Sequence, residues 1–457
     1  MNILTKDGIY QQLAKLSFPI LWGMIAELLY SLADIYFIAA IDKSATHVVS
    51  GVGIVFPLIF LLTSVDQGIG SGIATITAIA HGGKDQQTVE KTSLTGYNLS
   101  LYSGIVIIIL FFILAEPIIN GLSGNEVSPA AKDVAIIYLR YSLPGFIFMF
   151  LVQARFSVLQ GIGQTGLIGI AMIGSTILNL VLDPIFIFTF GLGVRGAAIA
   201  TVISQISLWL FINYQYGKVN LNKPKWADLI QLDKVISKRI LKIGIPASFT
   251  FVILSFSFMV LNKLVSNISE VGLNAYTLVT RLDGILVTPA LAFSIGLSIM
   301  IGQNYGAGKI DRLPKIFRQG GIVITFFTLL LGVIYMALAK TIFGTMSSRP
   351  EVIALASKQV LYLTIPVAVG MSISTAASSC LQALEQATKA MLVTGFRALF
   401  ITAPLILLLG LLFKPHIYHI WVGIAGGVVG ASIIGLGWVN KAFNRIAGES
   451  SLPNNST

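Results

Sequence analysis

The sequence predicts an all-α integral membrane protein, with twelve transmembrane helices forming two parallel six-helix repeats, or bundles, around a central cavity. Three observations carry that expectation. The 457 residues are 55% hydrophobic and only 11% charged, whereas a soluble domain carries about 25% charged residues. Twelve stretches are long and apolar enough to cross a bilayer, which takes about 20 residues each. The two halves of the chain also repeat one another in order. The 27 Phe exclude disorder, and a lone cysteine, Cys380, excludes a disulfide scaffold.

In chain order the spans are expected at 16–40, 48–80, 93–115, 135–160, 167–190 and 196–216. After a polar break they resume at 243–265, 272–303, 317–340, 358–381, 390–413 and 417–440. The first is too long for a signal peptide and runs into Asp34 rather than a small-residue cleavage site. The expected organisation is therefore a first six-helix lobe over 1–216, a basic linker over 217–242, a second lobe over 243–441 and a tail over 442–457. Apolar residues in the linker (Trp226, Leu229, Ile230, Leu232, Val235 and Ile236) predict an amphipathic helix on the inner membrane surface.

An even number of spans places both termini on one side. If that side is the cytoplasm, 18 Lys and Arg fall on inner segments and 8 on outer ones. The positive-inside rule thus predicts cytoplasmic N and C termini in a multi-pass protein of the plasma membrane. The net charge of +11 is chiefly this topology signal, with a small contribution left for anionic membrane lipids. Nucleic acid is not expected as a partner.

The repeat is visible in particular residues. Lys15-Leu-Ser-Phe-Pro19 matches Lys242-Ile-Gly-Ile-Pro246, and Pro144 and Gln160 match Pro366 and Gln382. Gly72 with His81-Gly-Gly-Lys84 matches Gly296 with Tyr305-Gly-Ala-Gly-Lys309, allowing one inserted residue, and Asp183-Pro184 matches Ala403-Pro404. Each proline removes a helix hydrogen bond that neighbours must accommodate, so shared prolines at matching depths are informative. Six spans per half give both repeats the same orientation, a transporter architecture with substrate bound between the halves.

Charge inside a span costs about 2.5–3.5 kcal/mol at mid-bilayer, so each instance needs a reason. The acids are Glu27, Asp34, Asp66, Asp183 and Asp283; the bases are Arg140, Arg155, Arg281 and Arg397. Arg140 lies near a helix end and can snorkel; Arg281 and Asp283, two apart, share no helix face and are each expected to pair elsewhere, and Arg397 is expected to play such a structural role between helices of the second half. Glu27, Tyr30, Ser31 and Asp34 fall at i, i+3, i+4 and i+7, one polar stripe down the first helix. Ser175, Asn179 and Asp183 form a second stripe on the fifth, and Pro184 frees the carbonyl of Leu180 beside it. Two carboxylates, an amide oxygen and hydroxyls suit a hard cation or a proton-binding acid pair. Interhelical hydrogen bonding alone, worth under about 2 kcal/mol, does not explain two acids in one half.

Other chemistry is thin. There is no Walker A pattern, no paired Cys/His spacing and no H-E-x-x-H, and His47, His81, His416 and His419 lie at loops or helix ends. No cofactor and no enzymatic reaction are expected. The run Gly68-Ile-Gly70-Ser-Gly72 reads as helix packing, since no strand precedes it to form a phosphate cradle.

At this point the residues resemble the multidrug and toxic compound extrusion (MATE) family over nearly the whole chain. The specific part is Asn179-Leu-Val-Leu-Asp183-Pro-Ile-Phe-Ile-Phe followed by Gly196-Ala-Ala-Ile-Ala-Thr201. Phe18-Pro19, Leu32-Ala-Asp34-Ile-Tyr-Phe-Ile and Gln160-Gly-Ile-Gly-Gln support it. The resemblance implies a monomeric twelve-helix antiporter that exports small amphipathic, often cationic, drug-like compounds against inflow of Na⁺ or H⁺. It implies a cation site, open to Na⁺, on Asp34, Asn179, Asp183 and Thr201, the last named by the resemblance alone. The substrate cavity is then expected to involve Glu27, Tyr30, Ser31, Gln153, Arg155 and Ser175.

Two departures stand out. Many members carry Arg where this chain has Gln160, and Arg155 is an additional base; pointing inward, it would pair with Asp34 or Asp183. Ala403 stands where the first half has Asp183, so coupling is expected in the first half only. The competing readings are a lipid-linked oligosaccharide flippase of the same superfamily, for which only Arg155, Arg281 and Arg397 offer cavity charge, and a lipid-modifying membrane enzyme.

Overall fold

A computed structural model describes residues 8–41, 46–122, 128–219, 221, 231–413 and 416–451. Among them are helices and no strand. Among the described residues, twelve helices are long and apolar enough to span a membrane. In the first half they are Ile9–Ile41, Ser50–Gly82, Gln86–Gly121, Pro129–Gly161, Thr165–Thr189 and Val194–Val219. In the second they are Lys234–Ser266, Glu270–Gly306, Ile310–Met346, Pro350–Ala383, Ala387–Leu412 and Ile417–Glu449. Each expected span is present, extended at one or both ends.

The extensions have local causes. Asp85 accepts from the Thr88 backbone N–H at 3.0 Å and from its hydroxyl at 2.6 Å, starting the third span. Ser128 caps the fourth through the Ala131 N–H, with Pro129 in the first turn, where its missing N–H costs nothing. Asp233 accepts from Val235 and Ile236 N–H at 2.9 and 3.0 Å, so the seventh helix starts at Lys234 rather than near 243. Val235 and Ile236 therefore belong to this span. Leu232 stands just before the helix, outside any helical turn, and Trp226, Leu229 and Ile230 lie outside the described residues.

The chain divides into two compact units: Pro19–Ala80 with Asp85–Ser248, and Phe249–Thr457 with Met1–Phe18 and His81–Lys84. The start of the first span thus belongs with the later helices, where Phe18 meets Phe293 and Phe327 edge-on at 5.6 and 5.8 Å. The start of the seventh belongs with the earlier ones: a Cβ on Gly72 would lie 2.5 Å from the carbonyl oxygen of Ile240, so only glycine permits that crossing. Pro19 and Pro246, matched by the repeat, stand near these two changes of unit. The first unit buries Ile38, Val55, Leu62, Phe111, Leu139, Phe146 and Ile187 in a common core. The second does so with Leu261, Tyr276, Leu363, Ile420 and Trp421.

Backbone detail repeats as well. The turn after the fourth span places Gly163 at φ +82°, and the turn after the tenth places Glu385 at φ +60°. In both, the following glutamine N–H (Gln164 or Gln386) bonds back at 2.8 Å to Leu159 or Leu381. The fifth and eleventh spans each contain a π-helical turn, Ile185–Thr189 and Phe396–Phe400. The first follows Pro184 and the second precedes Pro404. The eighth span is built from Glu270–Leu282 and Gly284–Gly306, joined at Asp283.

Candidate functional site

The polar stripe of the fifth span is turned onto the sixth. Ser175 Oγ donates to the Ser204 carbonyl at 3.4 Å. With its amide oriented to match its neighbours, Asn179 donates to Asp183 Oδ2 at 3.0 Å and accepts from the Thr201 backbone N–H at 3.2 Å. Thr201 Oγ1 donates to the Ala197 carbonyl at 3.1 Å. Its single proton is thereby used, so Tyr30 of the first span is the donor in the 3.3 Å contact between the two hydroxyls. Small residues allow this close packing: a Cβ on Gly196 would lie 2.6 Å from the Phe186 carbonyl oxygen. The π-turn closes directly after Asp183-Pro184, where Phe190 N–H bonds to the Ile185 carbonyl at 2.9 Å.

Asp34 comes from the first span, one turn beyond Tyr30. It is 7% exposed, Asn179 3% and Asp183 0%. The two carboxyls interact electrostatically, and Tyr138 of the fourth span lies in range of both. Asp34 Oδ1 and Asp183 Oδ1 are each buried without a hydrogen-bond partner. Among the described residues no Lys, Arg or His forms an ion pair with either acid. Ile38, Leu139, Ile187, Ala197 and Ala198, neighbours of these residues along their own helices, are buried in one apolar core, and burial makes unpaired charge costly. The donors gathered here are carboxylate, amide and hydroxyl oxygens, a set suited to hard ions rather than to soft transition metals.

The structure thus brings together Tyr30, Asp34, Asn179, Asp183 and Thr201, with Ser175 one turn away. Tyr138, absent from the expected set, joins them; its only sequence signal was its i, i+4 spacing with Ser142 in an apolar span. Glu27 and Ser31 are exposed on the first span. Gln153 donates to Gln67 at 3.1 Å, away from the acids.

Arg155 corrects the expected pairing. It lies about 25 Å along the fourth span from Tyr138 by helix rise and meets neither acid. It is 1% exposed, and its guanidinium sits between the rings of Tyr97 and Tyr216, 4.3 and 4.1 Å from their centroids. Nε donates to Asn213 Oδ1 at 3.2 Å and Nη1 to Ser93 Oγ at 3.4 Å. Aromatic faces and neutral acceptors from the third and sixth spans stand in for a carboxylate. In the second unit Arg397 is likewise held by Ser374 and Thr375, at 3.3 and 2.6 Å. Asp283 lies in electrostatic range of Tyr276 and Tyr335. Ala403, the counterpart of Asp183, is buried.

The MatE family model matches residues 19–185 and 246–408. The chain belongs to the MatE family. The two matched segments begin at Pro19 and Pro246. Among curated relatives, the probable multidrug resistance protein YoeA of Bacillus subtilis is 28% identical, over 69% of each chain. The multidrug export protein MepA of Staphylococcus aureus is 25% identical, over 74% of this chain and 72% of its own. The fold matches an outward-facing multidrug resistance MATE transporter of the MOP superfamily with TM-score 0.89 at 23% identity, covering 97% of this chain and 98% of that one. It matches a MATE crystal structure in the bent conformation with TM-score 0.90 at 23% identity, covering 98% of each. As a MatE protein with twelve spanning helices, it is a multi-pass membrane transporter and not an enzyme.

Proposed function

We propose that this MatE protein is a cation-coupled multidrug exporter of the plasma membrane, moving small amphipathic, often cationic, compounds out of the cytoplasm against entry of Na⁺ or H⁺. The relatives named as multidrug resistance and multidrug export proteins support the cargo class. The coupling assignment rests on one observation: Asp34 and Asp183 share a buried pocket, and each keeps a carboxyl oxygen without a partner. The ion is cargo here, not a resident cofactor. Asn179 holds one oxygen of Asp183, Thr201 orients Asn179 and Tyr30, and the free carboxyl oxygens receive the ion. Proton and Na⁺ would compete for the same oxygens. Export follows if ion and drug favour oppositely facing states, because only a difference in affinity between states lets a ligand shift them.

The flippase reading loses support, since Arg155 and Arg397 are taken up by neutral partners within their own units. Efflux from proteoliposomes driven separately by a Na⁺ gradient and by a pH gradient tests the proposal. Uptake of an amphipathic cation such as ethidium against either gradient supports coupling, and transport indifferent to both contradicts it.

A further inference from the structure

The first turns of the seventh span carry a feature that the ion pocket does not use. Lys234, Lys238 and Lys242 fall at i, i+4 and i+8 on one helix face, and all three are exposed. Their Cα positions are about 6 Å apart along the axis, and no carboxylate among the described residues forms an ion pair with any of the lysines. The neighbouring acid, Asp233, is committed to the Val235 and Ile236 N–H groups at 2.9 and 3.0 Å. Together with Leu241, Ile245 and Pro246, the lysines line a groove of about 730 Å³. Ser237 also faces this groove, and its hydroxyl oxygen is buried without a hydrogen-bond partner. Ile245 is 52% exposed, an apolar surface suited to an acyl chain.

A small anion would gain nothing from Leu241, Ile245 and Pro246, and a neutral lipid would leave three ammonium groups unanswered. The arrangement is complementary to an amphiphile with an anionic head. We propose that this groove binds an anionic phospholipid, its phosphate against Lys234, Lys238 and Lys242 and one acyl chain along Leu241, Ile245 and Pro246. The site stands whether or not the transport reading holds, because it uses none of the pocket residues.

Native mass spectrometry of the delipidated full-length protein, titrated in turn with phosphatidylglycerol, phosphatidylcholine and glycerol phosphate, tests it. Wild type is expected to retain phosphatidylglycerol at least tenfold better than either other probe. Each lysine removed should cost about fivefold, so K234Q/K238Q/K242Q should abolish the preference. K234R/K238R/K242R should keep it, and K315Q/K441Q, exposed lysines elsewhere, should leave it unchanged. Equal retention of phosphatidylglycerol and phosphatidylcholine by wild type overturns the proposal. So does a triple glutamine variant that binds like wild type, or glycerol phosphate bound as tightly as the lipid.

Discussion

Asn179 and Asp183 stand one helical turn apart on the fifth span, and the Asn179 amide donates to Asp183 Oδ2 at 3.0 Å while accepting from the Thr201 backbone N–H at 3.2 Å. The amide therefore fixes which carboxyl oxygen of Asp183 is engaged and which remains available. Hydrogen bonds to a charged group are worth about 1.5–3 kcal/mol. Asn179→Ala is expected to raise the half-saturating concentration of the coupling ion about tenfold or more, with expression and drug binding retained. Ion titration of efflux in proteoliposomes measures this directly.

Arg155 is predicted to act on stability rather than on coupling. Its two aromatic contacts are desolvated, each of a kind worth about 2 kcal/mol. Removing it also leaves Asn213 and Ser93 without their charged donor. Arg155→Ala should lower the thermal midpoint in detergent by several degrees and reduce transport more than Arg140→Ala does. Arg140 is exposed, with its guanidinium 5.7 Å from the Phe112 ring. The ion dependence of the remaining Arg155→Ala activity should match wild type. A shifted ion dependence would return Arg155 to the coupling pocket.

Much of this was legible beforehand. Polar residues at helical spacing within apolar spans stand out because lipid cannot satisfy them, so Asp34 and the Ser175, Asn179, Asp183 stripe were readable from residue type and position. Thr201 was not: a threonine in a helix has too many ordinary roles, and only the family resemblance marked it. Tyr138 and the tyrosines around Arg155 were hidden because they approach from other helices, and periodicity along one helix carries no information about its neighbours. Charge alone allows Arg155 a place beside the acids if it points inward, whereas tyrosine faces answer its charge at the far end of the span. The π-turn after Pro184 and the change of unit at Pro19 depend on backbone register and packing, which leave no compositional mark.

The basic residues predict cytoplasmic termini, and labelling tests this. Single cysteines at Lys238 and Lys315 should react with a membrane-impermeant maleimide only from the cytoplasmic side, and one at Arg349 only from outside. The native Cys380 is fully buried, so background labelling should be low. External labelling at Lys238 would invert the topology.

The cap of the third span gives a pH prediction outside the membrane. The Thr88 hydroxyl, and then its N–H, hold the Asp85 carboxyl below the usual carboxylate range. A depressed value means the stabilisation is complete above the unfolded carboxyl's pKa, about 4, and is lost as pH falls through the lowered folded value. Asp85→Ala should cost about 1 kcal/mol at pH 7, and its thermal midpoint should converge on wild type below pH of about 4.

The most direct test of the coupling pocket is gradient-driven efflux by Asp34→Asn in proteoliposomes, under a Na⁺ gradient and under a pH gradient. The substitution keeps size and hydrogen bonding but cannot take up charge. The expected result is a folded, membrane-inserted protein that still binds drug and has lost efflux under whichever gradient drives wild type. Asp183→Asn should behave alike, and Asp66→Asn should retain part of the activity. Wild-type efflux by a well-expressed Asp34→Asn protein would contradict the account and leave the pocket as interhelical hydrogen bonding.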